Sequence, residues 1–536
     1  MKTIMNKVVI WVMIAVLFTA CSDDYLDTAP TSSTGTATAF ETTDNASMVI
    51  NGICRIMTRQ YGSYGQGFNG EGTVKMYYGN YQGTAFVYPA TGWTNTVTGS
   101  YHDSNSATYT AYPWYYYYQI ASGANSVLFY INDAQGTDSE KQRIKAQALT
   151  FRAYAYTMLI QLYGYRWQDS NNGTTPGIIL RLEPTSESLP LSTVGETYDQ
   201  IYKDLNEAIS LFGESNWTRD SKDVWSPNIN VAYATFARAA INKLDYSKAI
   251  EMSVKAREGY PLMTNAEYLS GFCDPNQEWI WGSYGGTTET LYFYSYHAYI
   301  AYNSNAGAVK NQPKCINREY YDKIPETDVR RRLFLDPSDC SYSATNLGYS
   351  TTNGQAVGSA GSTSGASEAG NRNEGLLTKK ARAAFPTIDV AGLIFAWMQF
   401  KVSCTEAPGV GYLNHFRSSE MYLIEAEAQY KTGNEDRARQ LLVELTKNSG
   451  RNPEYSCTQS GENLFNEIKF VAQIELWGEG FDWFMMKRWN DKIIHHSFAN
   501  GGNYVSAYNG EIGPEEKNKQ TWVIPLKETD YNPLAK

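Results

Sequence analysis

Apolar and small residues recur at helical spacing in several separate stretches of this chain. The clearest stretch runs from Lys145 to Gly164, where one helical face carries Ala148, Phe151, Ala155, Leu159 and Leu162. The same spacing predicts further helices over 197–212, 231–244, 418–430, 438–445, 464–476 and 481–489. The pattern therefore predicts a mainly α protein.

Two short breaks divide these helices into antiparallel pairs. One break lies at Leu244-Asp245 and the other at Thr432-Gly433-Asn434, and an alanine follows each turn, at Ala249 and Ala438. Small residues at such positions let antiparallel helices approach closely, as they do in tetratricopeptide (TPR) repeats. We therefore predict about four TPR-like helical hairpins, interrupted by other sequence, within about 143–164, 197–257 and 416–490.

Long stretches between the helices lack a helical pattern. Residues 60–120 and 275–410 are irregular and rich in aromatic residues, and 341–375 is a Gly/Ser-rich segment that has almost nothing to bury. Such a composition predicts a mobile surface excursion for 341–375. We expect a single domain over 21–536, in which the helices support a large, loop-rich subdomain.

The N-terminus has the pattern of a secretory signal. Two lysines precede an apolar run from Val8 to Phe18, and Thr19 and Ala20 stand before Cys21. Eleven apolar residues are too few to span a bilayer, so 1–20 is predicted to be a signal peptide and Cys21 a lipid attachment site. Each buried lipid methylene contributes about 0.8 kcal/mol to membrane binding. The alternative is a secreted protein in which Cys21 is incidental.

Composition narrows the classes of function. The formal net charge of −10 argues against nucleic-acid binding and against anionic lipid headgroups. Seven cysteines without a C-x-x-C pair and five histidines without ligand spacing indicate neither a metal site nor a dense disulfide framework, so we expect no cofactor. The 42 tyrosines and 13 tryptophans lie largely in polar, Gly-rich sequence, which predicts that some rings are presented at a surface.

Six sequence blocks, in order, resemble the SusD/RagB-type nutrient-uptake lipoproteins of the Bacteroidetes. The blocks are Cys21 to Pro30; Arg152-Ala153-Tyr154 with Tyr163-Gly164; Tyr198 with Asp204-Leu205 and Ala208; Arg417 and Glu420 with Glu425-Ala426-Glu427-Ala428; Ile474-Glu475-Leu476 with Glu479-Gly480 and Lys487-Arg488-Trp489; and Ile524-Pro525 with Glu528 and Asn532-Pro533. One departure is Asp482 and Met485, where the family usually has an Arg and an Asp three residues apart. We interpret this change as the loss of an exposed intrahelical ion pair.

The resemblance implies more than the residues show by themselves. It implies TPR-like helix pairs with an appended irregular subdomain, and a lipid-anchored location at the cell surface on the outer membrane. The implied function is non-enzymatic capture of an oligosaccharide. The implied partner is a SusC-like TonB-dependent outer-membrane transporter.

Candidate ligand-binding residues come from the two aromatic-rich regions. Sugars present flat C–H faces and hydroxyl groups, so a binder needs exposed aromatic faces beside amide or acidic side chains. Trp93 and Asn95 have this pairing, with Tyr77 upstream. In an extended segment, alternate residues project from one face, which would align Tyr292, Tyr294 and Tyr296. The structural alternative is that these rings pack the irregular part of the protein.

Other functions are weighed against glycan capture. A peptide-binding uptake protein of the same architecture would share every motif above. A glycoside hydrolase needs two carboxylates about 5–10 Å apart across a cleft, and none of the acidic residues lies in a recognisable catalytic signature. A TPR adaptor would bind peptides in its helix grooves. Finally, Arg330-Arg331-Arg332 could hold an anion, but the flanking Asp328 and Asp336 favour a solvated, salt-bridged turn.

Overall fold

Helices make up most of the regular structure in the computed structural model. The structure describes residues 36–60, 67–283, 285–286, 294–337, 376–389 and 392–535. Cys21 and the segment 341–375 therefore lie outside the described residues.

The longer helices include those predicted within 143–164, 197–257 and 416–490, and three more that were not predicted, over 43–56, 108–130 and 376–384. The second of these begins inside the stretch 60–120 that was expected to be irregular. In chain order, the longer helices are α1 (Thr43–Ile56), α2 (Thr108–Tyr130), α3 (Asp138–Tyr163), α4 (Val194–Ser215), α5 (Ile229–Lys243), α6 (Tyr246–Ala256), α7 (Leu376–Ala384), α8 (Ser418–Lys431), α9 (Glu435–Val443), α10 (Gly461–Glu475) and α11 (Asp482–Trp489). Short α-helices span Thr36–Ala39, Gly70–Thr73, Thr94–Val97, Asn265–Tyr268, Tyr296–Ile300, Gly307–Lys310, Arg318–Tyr321 and Leu526–Tyr531. π-Helical turns span Val74–Asn80 and Glu444–Asn448. The prediction of a mainly α protein is confirmed.

Local sequence signals explain where the helices begin. Thr137 and Glu140 form a capping box at the start of α3, and Thr193 and Glu196 form another at the start of α4. In each box the threonine hydroxyl accepts the glutamate N–H, and the glutamate carboxylate accepts the threonine N–H. These boxes satisfy backbone donors that would otherwise have no partner at the helix ends.

Both predicted breaks are turns of antiparallel helix pairs. Between α5 and α6, Leu244 adopts a left-handed φ of 62°, and the Asp245 carboxylate accepts the Lys248 N–H at 3.1 Å. Between α8 and α9, Gly433 has a φ of +84°, a conformation that glycine adopts without strain. Helical hairpins α5–α6 and α8–α9 are therefore present where the sequence pattern placed them.

The strands form three short antiparallel pairs, two of which join parts of the chain that are far apart in sequence. Strand β1 (Phe86–Val87) pairs with β3 (Cys315–Ile316), β2 (Trp279–Ser283) with β4 (Leu413–Arg417), and β5 (Ile493–His495) with β6 (Gly510–Ile512). In the first pair, Phe86 lies opposite Ile316. The β1–β3 ladder thus joins the two irregular stretches, and β4 leads directly into α8.

The buried apolar side chains form two clusters. The main core includes residues from Phe40 to Ala535, so both ends of the described chain contribute to it. A smaller cluster lies between α8, α9 and α10, with Leu423, Leu441 and Leu464 among its members. No helix among the described ranges is both long enough and apolar enough to cross a bilayer. Within those ranges, the five cysteines Cys54, Cys273, Cys315, Cys404 and Cys457 are all free thiols.

A buried charge network centred on Arg417 connects three elements. Arg417 ends β4, and its guanidinium donates to Glu278 Oε1 at 2.8 Å, to Glu475 Oε1 at 2.9 Å and to both Glu479 carboxylate oxygens at 2.8 and 2.9 Å. Glu278 precedes β2, whereas Glu475 ends α10. Lys401 adds a 2.6 Å bond to Glu479. Arg417 and Glu475 are at most 1% exposed, so this arrangement has little contact with solvent.

Arg330 belongs to the same network. It donates to Asp328 at 2.7 Å and to Glu475 at 3.2 Å, and it is 1% exposed. The predicted pairing with Asp328 is present, but Arg330 is not solvated as expected, because Glu475 from far along the chain completes its pairing; Arg332 is exposed. Burial alone raises the pKa of Glu475, but the surrounding cations Arg417, Arg451 and Arg330 outweigh that effect and hold the pKa well below its ordinary value.

Asp482 is also buried, which corrects the interpretation of this position as part of a lost exposed ion pair. One carboxylate oxygen accepts the backbone N–H groups of Ala85 and Phe86 at 2.7 and 3.3 Å, and the other accepts Gln473 Nε2 at 3.0 Å. Asp482 thus joins the start of α11 to β1. Burial raises its pKa to about 6, although these hydrogen bonds favour the ionised form.

Replacing Arg417 tests the network. Arg417→Met leaves three buried carboxylates short of a partner, so we expect the free energy of unfolding to fall by about 3–5 kcal/mol in urea denaturation. The matched control is Arg439→Met, because Arg439 pairs with Glu435 and Asp436 near the surface, where solvent screens the charges and the loss of stability should be much smaller. Equal losses in the two variants would contradict a special role for the network.

Asp482 predicts a specific pH dependence. Since its folded pKa exceeds the unfolded value, the folded state binds more protons between about pH 4 and pH 6, and the contribution of this group to stability falls as the pH rises through that window. The free energy of unfolding of Asp482→Asn, measured relative to that of wild type, should therefore rise by about 3 kcal/mol between pH 4 and pH 7. Asp436→Asn, at an exposed position, is the control. If the difference in free energy of unfolding between wild type and Asp482→Asn stays constant with pH, the shifted pKa is refuted.

Candidate ligand-binding surface

Three half-buried aromatic rings, those of Trp93, Tyr101 and Tyr109, line an open pocket of about 350 Å³. Gly92, Thr94, Asn95 and Thr96 complete its lining. We call these seven residues the Trp93 surface. It brings together two of the predicted residues, Trp93 and Asn95, and the Asn95 side chain is exposed.

A tight turn positions Trp93. Gly92 has a φ of +120°, which other residues rarely adopt, and it lets the chain reverse just before the indole. The Trp93 carbonyl then accepts the N–H groups of Thr96 and Val97 at 3.0 and 2.9 Å, which starts the helical turn Thr94–Val97. This turn places the side chains of Thr94 and Asn95 directly beside the indole.

The two tyrosines of the Trp93 surface stack on each other. The ring centroids of Tyr101 and Tyr109 are 4.8 Å apart, with 20° between the ring planes. The indole of Trp93 meets Tyr109 edge-on at 6.0 Å. Tyr109 lies in the first turn of α2, so a long helix holds one side of the pocket in place.

A buried layer of tyrosines lies beneath Trp93. Tyr77 is 2% exposed, and its ring centroid lies 4.4 Å from that of Trp93. Tyr81 is 1% exposed and meets the indole edge-on at 5.4 Å. Tyr88 meets the indole edge-on at 6.4 Å. These contacts restrict the tilt of the indole from below.

The structure corrects part of the predicted platform. Tyr77 is not exposed but supports Trp93 from the interior. Tyr296 is 6% exposed, because it lies in the helix Tyr296–Ile300 and its hydroxyl donates to the Gly478 carbonyl at 2.5 Å. Tyr294 is half-buried and lies two residues before the first residue of this helix, so the expected extended alternation with Tyr296 is wrong. Tyr292 lies outside the described residues.

The Trp93 surface is uncharged. None of its seven lining residues is an Asp, Glu, His, Lys or Arg. Burial, together with the neighbouring Tyr101 and Tyr299, raises the pKa of Tyr109 to about 12. Its hydroxyl therefore stays protonated near neutral pH. Aromatic faces beside hydroxyl and amide groups suit a ligand that has apolar C–H faces and neutral hydroxyl groups. In the described part of the chain, no group of three or more His, Cys, Asp or Glu side chains could hold a metal ion.

Sequence reasoning missed Tyr101 and Tyr109. Both lie in the same kind of polar, Gly- and Ser-containing sequence as Trp93, so the rule that selected Trp93 also applied to them. Tyr299 was also missed; its ring packs edge-on against Tyr77 at 5.6 Å and remains half-buried.

Family comparisons cover nearly the whole chain. Residues 24–241 match a SusD-like family model described as starch-binding and associating with the outer membrane. Residues 241–534 match the model of the SusD family, SusD/RagB. A SusD-like protein of Bacteroides ovatus is 25% identical over 288 residues, and this match covers 51% of the chain and 48% of that relative. The chain thus spans about half the length of this curated relative.

Solved structures share the fold. A SusD-like carbohydrate binding protein from Bacteroides vulgatus superposes with a TM-score of 0.72 at 21% identity, covering 92% of this chain and 98% of that one. A SusD superfamily protein from Bacteroides thetaiotaomicron gives 0.69 at 20% identity, covering 92% and 99%. At these identities the likeness establishes the fold alone.

Proposed function

Because the chain belongs to the SusD family, we propose that it captures oligosaccharides at the cell surface through the Trp93 surface. The observation that carries this proposal is the set of partly exposed rings around an uncharged pocket with an exposed amide, Asn95. The carbohydrate-binding description of the similar Bacteroides vulgatus protein gives independent support.

The geometry explains how capture would work. The face of a pyranose ring stacks on the Trp93 indole or on the exposed part of the Tyr101–Tyr109 pair, while Asn95 and Thr94 hydrogen-bond its hydroxyl groups. The buried tyrosines keep the indole in place, so little ordering cost accompanies binding. The lining contains no carboxylate, so this pocket favours binding without hydrolysis.

The uncharged lining also favours glycan over peptide. A peptide ligand often presents charged termini and side chains, and sites that recognise those charges or pair with an extended backbone offer matching charges or exposed strand edges. The Trp93 surface has neither charged side chains nor a strand. A peptide-binding uptake protein remains the alternative that a ligand screen would reveal.

Delivery forms the second part of the proposal. We propose that Cys21 is lipidated and holds the protein on the outer membrane, and that the bound oligosaccharide passes to a SusC-like TonB-dependent transporter. The family match supports the location, because its description associates the family with the outer membrane. The transporter is what the resemblance to SusD/RagB-type lipoproteins implies. The N-terminal pattern of Val8–Phe18 followed by Cys21 supports the anchor.

Trp93→Ala tests the capture site. A glycan array first identifies an oligosaccharide ligand, and isothermal titration calorimetry then measures its Kd. Loss of one stacked face should cost about 1–3 kcal/mol, or about 5- to 150-fold in Kd. Tyr531→Ala, at a side chain that is 85% exposed and does not line the pocket, is the control and should bind like wild type.

An unchanged Kd for Trp93→Ala would exclude the Trp93 surface as the capture site. Release of shorter sugars during incubation with the ligand would instead indicate a hydrolase. Binding of peptides but no glycans would support the alternative uptake function.

Cys21→Ser tests the anchor. Cells that express the wild-type protein should incorporate labelled palmitate into it and retain it in the membrane fraction, whereas the variant should lose both properties. Cys457→Ser removes a half-buried thiol and should behave like wild type. Palmitate incorporation into the Cys21→Ser variant would disprove the proposed attachment site.

A further inference from the structure

A second cleft lies inside the helical part of the protein. It is bounded by α3, α5, α8, α10 and α11 and by the π-helical turn Val74–Asn80. The space between its walls, counted out to the solvent at the mouth, is about 720 Å³. The cleft does not include any residue of the Trp93 surface.

The cleft follows the boundary between the two hydrophobic clusters. Leu423, Ala472 and Met485 on its wall belong to the smaller cluster, whereas Met158 and Phe484 belong to the main core. Most of the wall is therefore aliphatic or aromatic. Side chains that border an unfilled space lose contacts they would make in a closed core, so an occupant with an apolar body would stabilise this boundary.

The mouth of the cleft is formed by half-buried residues. Arg488 and Trp489 are both partly exposed. Arg488 and Trp489 both donate to the Glu427 carboxylate, at 2.7 and 2.9 Å, which fixes their side chains at the entrance. A ligand could therefore enter past side chains that are already held in place.

The inner end is polar and its charges balance. Arg238 is held by two hydrogen bonds to Glu420, at 2.8 and 2.9 Å. Glu71 accepts hydrogen bonds from three tyrosine hydroxyls, among them that of Tyr154 at 2.7 Å. With Lys75, the inner wall has two cations and two carboxylates. A charged ligand would leave a net charge in a buried site, which is costly, so the balance favours a neutral ligand.

Lys75 is the available donor at this end. Its ammonium donates to the Glu479 carbonyl at 2.8 Å and lies 5.0 Å from the ring of Phe481, which also lines the cleft. An ammonium has three N–H donors. Burial, together with the nearby Arg238 charge, lowers the pKa of Lys75 to about 8, as expected for an ammonium with few acceptors.

We infer that this cleft binds a neutral amphipathic small molecule, with an apolar body along the α8–α10–α11 wall and one hydrogen-bond acceptor facing Lys75. Its ligand is distinct from the oligosaccharide, and its site does not depend on the proposed function. Glycan binding at the Trp93 surface can fail while this site remains, and the reverse also holds.

Prodan, a neutral naphthalene ketone whose fluorescence reports an apolar environment, is the probe. Titration of the full chain should give saturable binding with one site per protein. Competition should separate the ligand classes, since 1-decanol should displace Prodan at concentrations at least tenfold lower than decanoate. Absence of saturable binding would overturn the site, and stronger competition by decanoate would overturn the neutral-ligand assignment.

Variants locate the probe. Ala472→Leu fills the cleft, so it should abolish Prodan binding while the unfolding temperature stays the same or rises. Ala426→Leu, at a fully buried position of the smaller cluster away from the cleft, should lower the unfolding temperature by overpacking. Met158→Phe is a second filling variant, for use if Ala472→Leu does not fold. Wild-type Prodan binding in a folded filling variant would overturn the inference.

Lys75→Met tests the polar contact. It should weaken Prodan binding about five- to tenfold, whereas Lys314→Met, which removes another buried lysine remote from the cleft, should not. Equal affinities in the two variants would show that Lys75 does not contact the ligand.

Discussion

The pairing of Arg417 with three buried carboxylates is the constraint on which the rest of the architecture depends. Its guanidinium lies where the end of β4 meets the start of β2 and the end of α10, and each partner would be costly to leave unpaired in a buried site. Glu475 also accepts a hydrogen bond from Arg330. The same set of charges therefore orients the short segment that carries Arg330. Charge pairing therefore fixes how β2, β4 and α10 lie relative to one another, because hydrophobic contact is less directional than these hydrogen bonds.

The candidate capture surface depends on this frame through a second set of buried polar contacts. Asp482 begins the helix that follows Glu479, and it accepts the backbone N–H groups of Ala85 and Phe86. Those residues lie between the π-helical turn that bears Tyr77 and the turn that bears Trp93. Buried contacts therefore connect the charge network to the chain segment that carries the half-buried Trp93 indole. This agrees with a rigid surface that needs little reorganisation to bind a ligand.

Helix positions and both hairpin turns followed from sequence because they depend on local signals: apolar spacing, helix caps, and a left-handed turn at Leu244 or Gly433. The tyrosines were harder to place, since burial depends on partners far along the chain. Tyr296 is buried because it reaches the Gly478 carbonyl, and nothing in its own Gly- and Tyr-rich neighbourhood indicates that contact. Likewise, Arg330 looks like part of a surface turn until Glu475 is brought against it. Trp93 and its polar neighbours were recognised because their chemistry is local.

The central claim is that buried charge pairs and tyrosines hold a passive frame while exposed rings do the binding. The most direct test is a crystal structure of the protein with a bound oligosaccharide identified by array screening. The account predicts a sugar ring stacked on Trp93 or on the Tyr101–Tyr109 pair, with Asn95 within hydrogen-bonding distance of a hydroxyl and the Arg417 network unchanged. An oligosaccharide bound elsewhere on the protein, with the Trp93 surface empty, would contradict it.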